Sequence, residues 1–405
     1  MKLWREKSRD LVPIEPKVVT TGPILENELK GSSIDVLRFP APKWHEHDGG
    51  RYIGTGDLVI TKDPDQGWVN MGVYRCMVHD SRTLGIHIWP THHGGLMMNG
   101  YWSRGEDAPV VIVLGQDPHL YAAACTPLQW GKSELEYAGA LGGGPVKVIV
   151  DRGTGLPVPA SAEIAIVGRV PPIAKESRAE GPFGECTGYY AGNGRECVVH
   201  VERILHRDEP ILQGNPPMCG SARLHSLGAE LTTSAAVWDS LEREVPNVKG
   251  VFSLYQPCQA GSSILVVSIK QSFAGHSLQA GMVALSAHAA ILMNRAVIVV
   301  DDDVDPSDSD DVLFAVTSRC DPSRDVKIIT GTPSYQLDLA HGPAKSESGD
   351  ATSSSMIIDA TRKPYSMLDA YPRVNAISPE LEAAVRKKWS RFLSSDRRSP
   401  PAPNP

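Results

Sequence analysis

The sequence predicts an α+β protein, and three observations carry that expectation. Short runs of β-forming residues punctuated by glycine and proline fill the first half. Strand-like and helix-like runs alternate in the second half, the pattern of an α/β domain. No run of eighteen apolar residues occurs anywhere, so neither half reads as membrane-spanning.

The elements follow in order. Residues 1–47 read as an irregular polar segment rich in Pro, Lys and Glu. Within 48–220 the pattern predicts strands at 57–62, 71–78, 84–89, 109–114, 146–150, 163–167 and 197–205. Many short strands with Gly-rich turns suggest a barrel or sandwich rather than a doubly wound sheet. Residues 221–377 read as the α/β domain, with a helix at 234–244 that ends before Pro246. A buried strand at 262–270, an alanine-rich helix at 276–293 and an apolar strand at 296–300 come next. A short helix at 311–317 and a strand at 326–330 complete this domain. Ser378-Pro379-Glu380 is an N-cap with proline at the first helical position, opening a helix over 378–393. Its Leu381, Val385, Trp389 and Phe392 share one face, suited to core or subunit packing. The Ser, Arg and Pro-rich tail 394–405 reads as disordered.

Composition narrows the function classes. Of 405 residues, 41% are hydrophobic and 21% charged, with a formal net charge of -7 and no basic cluster, which argues against a nucleic-acid partner. The first ten residues lack the apolar core of a signal peptide. Seven scattered cysteines without a CxxC pair fit thiols in a reducing cytosol, so the expected location is cytoplasmic. No Walker loop, GxGxxG, HExxH or GxSxG pattern is present. The acid-rich stretch 301–311 lacks calcium-loop spacing and reads as a strand-end loop capping the next helix.

Chemistry-bearing residues gather in a few short stretches. Glu180 and Glu185 flank Gly181-Pro182-Phe183-Gly184, a turn that can aim two carboxylates into one cavity. In different surroundings such a pair takes different pKa values, one donating a proton while the other stays ionised. Asn70-Met71-Gly72-Val73-Tyr74-Arg75 brings an amide and an arginine, His92-His93-Gly94-Gly95 imidazoles beside bare backbone, and Ser133-Glu134-Leu135-Glu136 carboxylates. Asn, His and Glu oxygens and nitrogen form a mixed hard set suited to Mn2+ or Mg2+ on a phosphate. Taken singly, each has a plainer reading: a surface turn, a strand-start Asn, a loop His93, a solvated helix start at Glu134.

In order and spacing, these stretches resemble the UbiD family of prenylated-FMN-dependent reversible (de)carboxylases. The likeness runs from about Asp48 to Thr361, through Asp48-Gly49-Gly50-Arg51-Tyr52-Ile53, the four stretches above, and Val158-Pro159-Ala160-Ser161-Ala162-Glu163-Ile164. It closes with Ala274-Gly275-His276, Val299-Val300-Asp301-Asp302-Asp303-Val304 and Ile358-Asp359-Ala360-Thr361. The resemblance implies a split β-barrel, flavin reductase-like, that binds the cofactor, followed by the α/β C-terminal domain, with the family's usual N-terminal domain shortened or absent. It implies that Asn70, His93 and Glu134 hold the metal on the cofactor phosphate, with Glu136 a substitute for Glu134 and K+ a candidate second ion. Gly72, Val73, Arg75, His92 and the Thr126-Pro127-Leu128 turn would also touch prenylated FMN. Arg75, Glu180 and Glu185 would be the catalytic trio: Glu185 the proton donor, Arg75 and Glu180 an ion pair positioning cofactor and substrate.

The implied reaction is non-oxidative (de)carboxylation of an α,β-unsaturated, aromatic or heteroaromatic carboxylic acid. The implied partners are that acid, a flavin prenyltransferase supplying the cofactor, and further copies of the chain in a homodimer or higher homo-oligomer. Two positions depart from the family pattern: Ser355 stands where a lysine is usual, and Gly142 where an arginine is. The shortened or absent N-terminal domain and Ser355 motivate the alternative of a non-catalytic flavin-binding or structural subunit of a larger carboxylase complex.

Overall fold

Alternation of side chains over 51–206 builds short strands, most of which join into one curled sheet. The structure, a computed structural model, describes residues 2–8, 11–126, 128–192, 194–217, 227–255, 264–290, 294–334, 338, 340, 352–372, 375 and 377–390. Helix α1 (Lys2–Ser8) and strands β1 (Lys17–Val18) and β2 (Asn27–Lys30) come first. Then follow β3 (Arg51–Gly54), β4 (Leu58–Lys62), β5 (Val69–Gly72), β6 (Cys76–Asp80) and β7 (Thr83–Ile86). Helix α2 (His93–Trp102) leads to β8 (Ala108–Leu114), and α3 (Pro118–Ala124) and α4 (Glu134–Gly142) lead to β9 (Lys147–Val150) and β10 (Pro157–Pro159). The run closes with β11 (Ile164–Val170), β12 (Ser177–Glu180), β13 (Phe183–Gly184), β14 (Tyr190–Ala191) and the long β15 (Gly194–His206). Strands β1, β9 and β10 make a second sheet, and β13 and β14 a third.

The main sheet has the order β3-β6-β7-β15-β11-β8-β4-β5, with β12 and β2 paired to β15. Both faces are covered, and the strand period of two sorts the residues. Along β8, Val110, Ile112 and Leu114 enter one core with Ile53, Leu84 and Ile166. Val111 and Val113 enter a second core with Leu58, Leu120 and Leu135, under α3 and α4. The chain crosses twice between the two ends of this sheet, from β3 to β4 and from β5 to β6. Arg75 lies on the second crossing.

That crossing corrects one expectation. The single strand read at 71–78 is two strands, because the chain must leave β4 and take β3 and β7 as partners. Helices α1, α2, α3 and a later one at Pro322–Asp325 went unread, and α4 was read only as a helix start at Glu134. All are short, and the glycines of α2 and α4 mask the helical period. The first 47 residues are not wholly irregular either, since β1 pairs with β9 and β2 with β15.

The second half holds α5 (Leu227–Glu244), β16 (Val248–Tyr255), β17 (Ile264–Ile269), α6 (His276–Ser286) and β18 (Ala296–Asp301). After these come α7 (Ser309–Arg319), α8 (Pro322–Asp325), β19 (Val326–Pro333) and β20 (Thr352–Ala360). The order is β16-β17-β18-β20-β19, with β17, β18 and β20 parallel and both edges antiparallel. Helices α5 and α6 cover one face through Leu241, Ala280 and Ala284, and α7 the other through Val312 and Ala315. Burial on both faces is why 296–300 reads as an unbroken apolar run.

The helix expected at 276–293 stops at Ser286, because Ala287 is extended (φ -63°, ψ 127°); residues 291–293 lie outside the described set. Strands β16 and β20 were not expected. As expected, Asp308 caps α7, its carboxylate accepting from the backbone N–H of Asp310 and Asp311. Residues 362–405 form a second compact unit. Its helix α9 (Pro379–Lys388) is capped by Ser378, whose Oγ accepts from Leu381 N at 3.2 Å. Leu381, Val385 and Trp389 are exposed, so they are not core; Phe392 lies outside the described residues. No described helix is long and apolar enough to cross a membrane.

Candidate active site

The split in the sheet brings three distant charges together. Arg75 precedes β6, Glu180 ends β12, and Glu185 follows β13 in the turn of the β13–β14 hairpin. Arg75 donates in a fork to Glu180, Nε to Oε1 at 2.8 Å and Nη2 to Oε2 at 2.6 Å. Its third nitrogen, Nη1, donates to Glu185 Oε1. The sequence reading paired Arg75 with Glu180 and set Glu185 apart; here one guanidinium bridges both. Such planar two-point contacts are the geometry arginine supplies and lysine does not.

Side-chain exposure grades the trio: 6% for Arg75, 0% for Glu180 and 13% for Glu185. Burial alone raises the Glu180 pKa, but hydrogen bonds and charge from Arg75, with a bond from Tyr52, outweigh it and hold the carboxyl below its ordinary value. Burial pulls Arg75 down while Glu180 and then Glu185 push it up, and the net shift is upward. Both partners are therefore fixed in their charged forms.

Several residues that support the trio were not singled out from sequence. Tyr52, fully buried, donates its hydroxyl to Glu180 Oε1 at 2.8 Å. The Phe183 ring lies 5.3 Å from the guanidinium carbon and 4.4 Å from the Tyr52 ring. Asp48 Oδ1 accepts from Gly184 N at 2.9 Å, and Gly49 N donates to Pro182 O at 2.7 Å, so residues 48–49 grip the loop between the two glutamates. A Cβ on Gly49 would sit 1.8 Å from Gly181 O, and only glycine allows that approach. Gly192 is left-handed (φ +79°), and a Cβ there would come within 2.3 Å of Arg75 Nη2. The signal for Asp48 and Gly49 was their place in a shared stretch; for Gly192 none existed.

Cys186, next to Glu185, is disulfide-bonded, against the expectation of thiols throughout. Cys76, Cys125, Cys197 and Cys320 are not disulfide-bonded. Next to Arg75 in sequence, Cys76 Sγ donates to Oδ2 of fully buried Asp57 at 3.3 Å, and Asp57 Oδ1 has no partner among the described residues. Burial pushes Asp57 up to about 7.

The second group gathers around Tyr74. Asn70 lies in β5, and Glu134, the first residue of α4, accepts from Met71 N through Oε2 at 2.8 Å. Glu134 is buried rather than solvated, and that burial lifts it to about 7 despite the Met71 N–H. Burial likewise raises Tyr74 to about 12, with the Glu134 charge adding to it and an Asn70 hydrogen bond opposing. His93 is the first residue of α2, not a loop histidine, and its ring meets Trp68 and Trp130 edge-on at 5.6 and 5.2 Å. Burial, with His288 nearby, lowers its pKa and keeps the imidazole neutral. His92 is lowered by burial as well, and its ring lies 6.1 Å from Tyr74. Gly72 ends β5, Val73 follows it on the crossing, and Thr126 closes α3 by donating Oγ1 to Ala122 O at 2.8 Å. Leu128 is half-buried; Pro127 lies outside the described residues.

Among the described residues no three His, Cys, Asp or Glu side chains converge on a metal position. Of Asn70, His93 and Glu134, only His93 and Glu134 are of those residue types. Asn70 Nδ2 is engaged with Thr61 Oγ1 at 3.2 Å, which leaves its oxygen, the neutral His93 ring and the second Glu134 oxygen as donors. That set suits a hard divalent cation.

Two matches to known families decide what the site belongs to. Residues 17–219 match the 3-octaprenyl-4-hydroxybenzoate carboxy-lyase Rift-related domain of the UbiD family, and 226–360 match its C-terminal domain. The chain belongs to the UbiD family. Similar curated proteins of this family include the phenolic acid decarboxylase of Bacillus subtilis (strain 168), 32% identical over 366 residues, covering 88% of this chain and 73% of that one. A phenolic acid decarboxylase of Streptomyces sp. (strain D7) is also 32% identical, over 358 residues, 87% of this chain and 72% of that one. Among solved structures, the UbiD-class enzyme HmfF from Pelotomaculum thermopropionicum in complex with FMN is similar, with TM-score 0.82 and 28% identity over 94% of this chain and 81% of that one. The resemblance read from the motifs is thereby borne out, as is the α+β expectation. The UbiD-family chain is a carboxy-lyase by descent.

Proposed function

We propose that the protein decarboxylates an aromatic, phenolic-type carboxylic acid with bound prenylated FMN. The observation that carries this is one guanidinium bridging two carboxylates, forked to Glu180 and touching Glu185 through a single nitrogen. Relatives act on phenolic acids, and structural neighbours are described with FMN or prenylated FMN. The cofactor supplies an electron sink for the pair left when carbon dioxide departs. Gly72, Val73, His92 and the 126–128 turn would line it, and Asn70, His93 and Glu134 would hold Mn2+ or Mg2+ on its phosphate. The enzyme works as a homodimer or larger assembly, supplied by a flavin prenyltransferase.

The chain's own residues do the rest. An incoming substrate carboxylate takes Arg75 Nη1 in place of Glu185, while Glu180 and Tyr52 keep the guanidinium in place. Glu185, released and facing the open side, takes up a proton from water. It then delivers that proton to the carbon that has lost carbon dioxide, so the substrate anion and one proton become carbon dioxide and the protonated product. General acid catalysis of this kind is typically worth roughly 10²–10⁴-fold. Co-expression with a flavin prenyltransferase tests the proposal. Protein carrying prenylated FMN by mass, releasing carbon dioxide from phenolic acids and losing flavin on chelation of its metal, is expected; flavin-free, inactive protein would overturn it.

A further inference from the structure

The register around Arg75 places a second polar pair beside it. Ile86 of β7 pairs with Cys76 of β6 on one side and Cys197 of β15 on the other, and all three point into the barrel core. One step along each strand, the opposite face carries Arg75, His87 and Glu196 in a row. His87 N continues the ladder by donating to Arg75 O at 3.1 Å. Across the row, His87 Nδ1 lies 3.0 Å from Glu196 Oε1. The other ring nitrogen, Nε2, has no protein partner among the described residues and is not sealed from solvent. Trp89 packs edge-on against the ring at 5.4 Å, an apolar wall beside a polar tip.

A carboxylate on Nδ1 fixes the tautomer of a neutral imidazole: Nδ1 carries the proton and Nε2 presents a lone pair. Such an atom accepts from a hydroxyl and gains nothing from an ether or a bare ring. We propose that the His87–Glu196 pair is a specificity subsite that accepts the ring hydroxyl of a hydroxylated aromatic acid while Arg75 holds its carboxylate. Glu196 is the positioning residue and His87 the contact. The inference rests on the aromatic-acid decarboxylase reading and adds the group that selects among such acids. A site built to pair a substrate hydroxyl discriminates against analogues lacking it, because its own polar atom is then left unpaired.

The test is calorimetric titration of the flavin-loaded protein at pH 8 with 4-hydroxycinnamate, 4-methoxycinnamate and cinnamate, with carbon dioxide release measured on the same samples. The wild type should bind the hydroxylated acid about tenfold more tightly than either analogue, a difference of about 1.4 kcal/mol. His87→Phe should abolish that preference, and His87→Gln, which keeps an acceptor, should restore part of it. Equal binding of all three acids by the wild type overturns the subsite without any variant having to fold. So does a preference that survives in His87→Phe. A preference without carbon dioxide release would leave the subsite standing and sink the decarboxylase reading; release without preference would do the reverse.

Discussion

Replacing Asp57 by Asn should make the fold less sensitive to pH, and the size of the effect follows from burial. Asp57 is fully buried; Oδ2 accepts from the weak Cys76 thiol, and Oδ1 has no hydrogen-bond partner from other residues among those described. Burial raises its pKa from 3.8 to about 7, opposed only weakly by its own N–H and the thiol. An acid whose folded pKa lies above its unfolded value binds more protons in the native state across that window. Stability therefore falls as pH rises from about 4 to about 7, and levels off above. At about 1.36 kcal/mol per pH unit, the full loss is on the order of 4 kcal/mol. Asn cannot ionise, so Asp57→Asn removes this loss while keeping the shape. Urea unfolding of both proteins between pH 4 and 8 should give curves that nearly meet at pH 4 and diverge by several kcal/mol at pH 8, with the variant more stable. A constant difference at every pH would refute the reasoning, because it would mean that Asp57 is ionised in both states.

Two further variants probe the supports of the trio. Tyr52→Phe removes a buried donor to an ionised carboxylate, a bond worth roughly 1.5–3 kcal/mol, and should lower the unfolding free energy by that amount in denaturant titration. Gly192→Ala puts a Cβ into the Arg75 guanidinium from a left-handed backbone; it should cut carbon dioxide release by at least roughly tenfold, since a small misplacement at the reacting centre is costly. Wild-type turnover in Gly192→Ala would show that Arg75 does not need its observed position.

The active-site residue types were legible in the sequence, and their arrangement was not. Glu180 and Glu185 drew notice as two carboxylates bracketing Gly181-Pro182, whose plainer reading is a surface turn, and the family resemblance joined Arg75 to them. That Arg75 would bridge both depends on the β5–β6 crossing, which a continuous reading of 71–78 conceals. Tyr52 reaches Glu180 across 128 residues, and no local pattern encodes such a contact. His93 was read as a loop residue because Gly94 and Gly95 hide the helix that begins there, and Glu134 was read as a solvated helix start whereas it is buried. In the second half, sheet burial on both faces made β17 and β18 readable. The more polar β16 and β20 showed no such signal.

The most direct test of the central claim is the fate of solvent deuterium in Glu185→Gln protein loaded with prenylated FMN. If Glu185 carries the proton, the variant keeps its flavin while carbon dioxide release and deuterium entry into product both fall by at least roughly 100-fold. Undiminished deuterium incorporation by flavin-loaded Glu185→Gln would contradict the account.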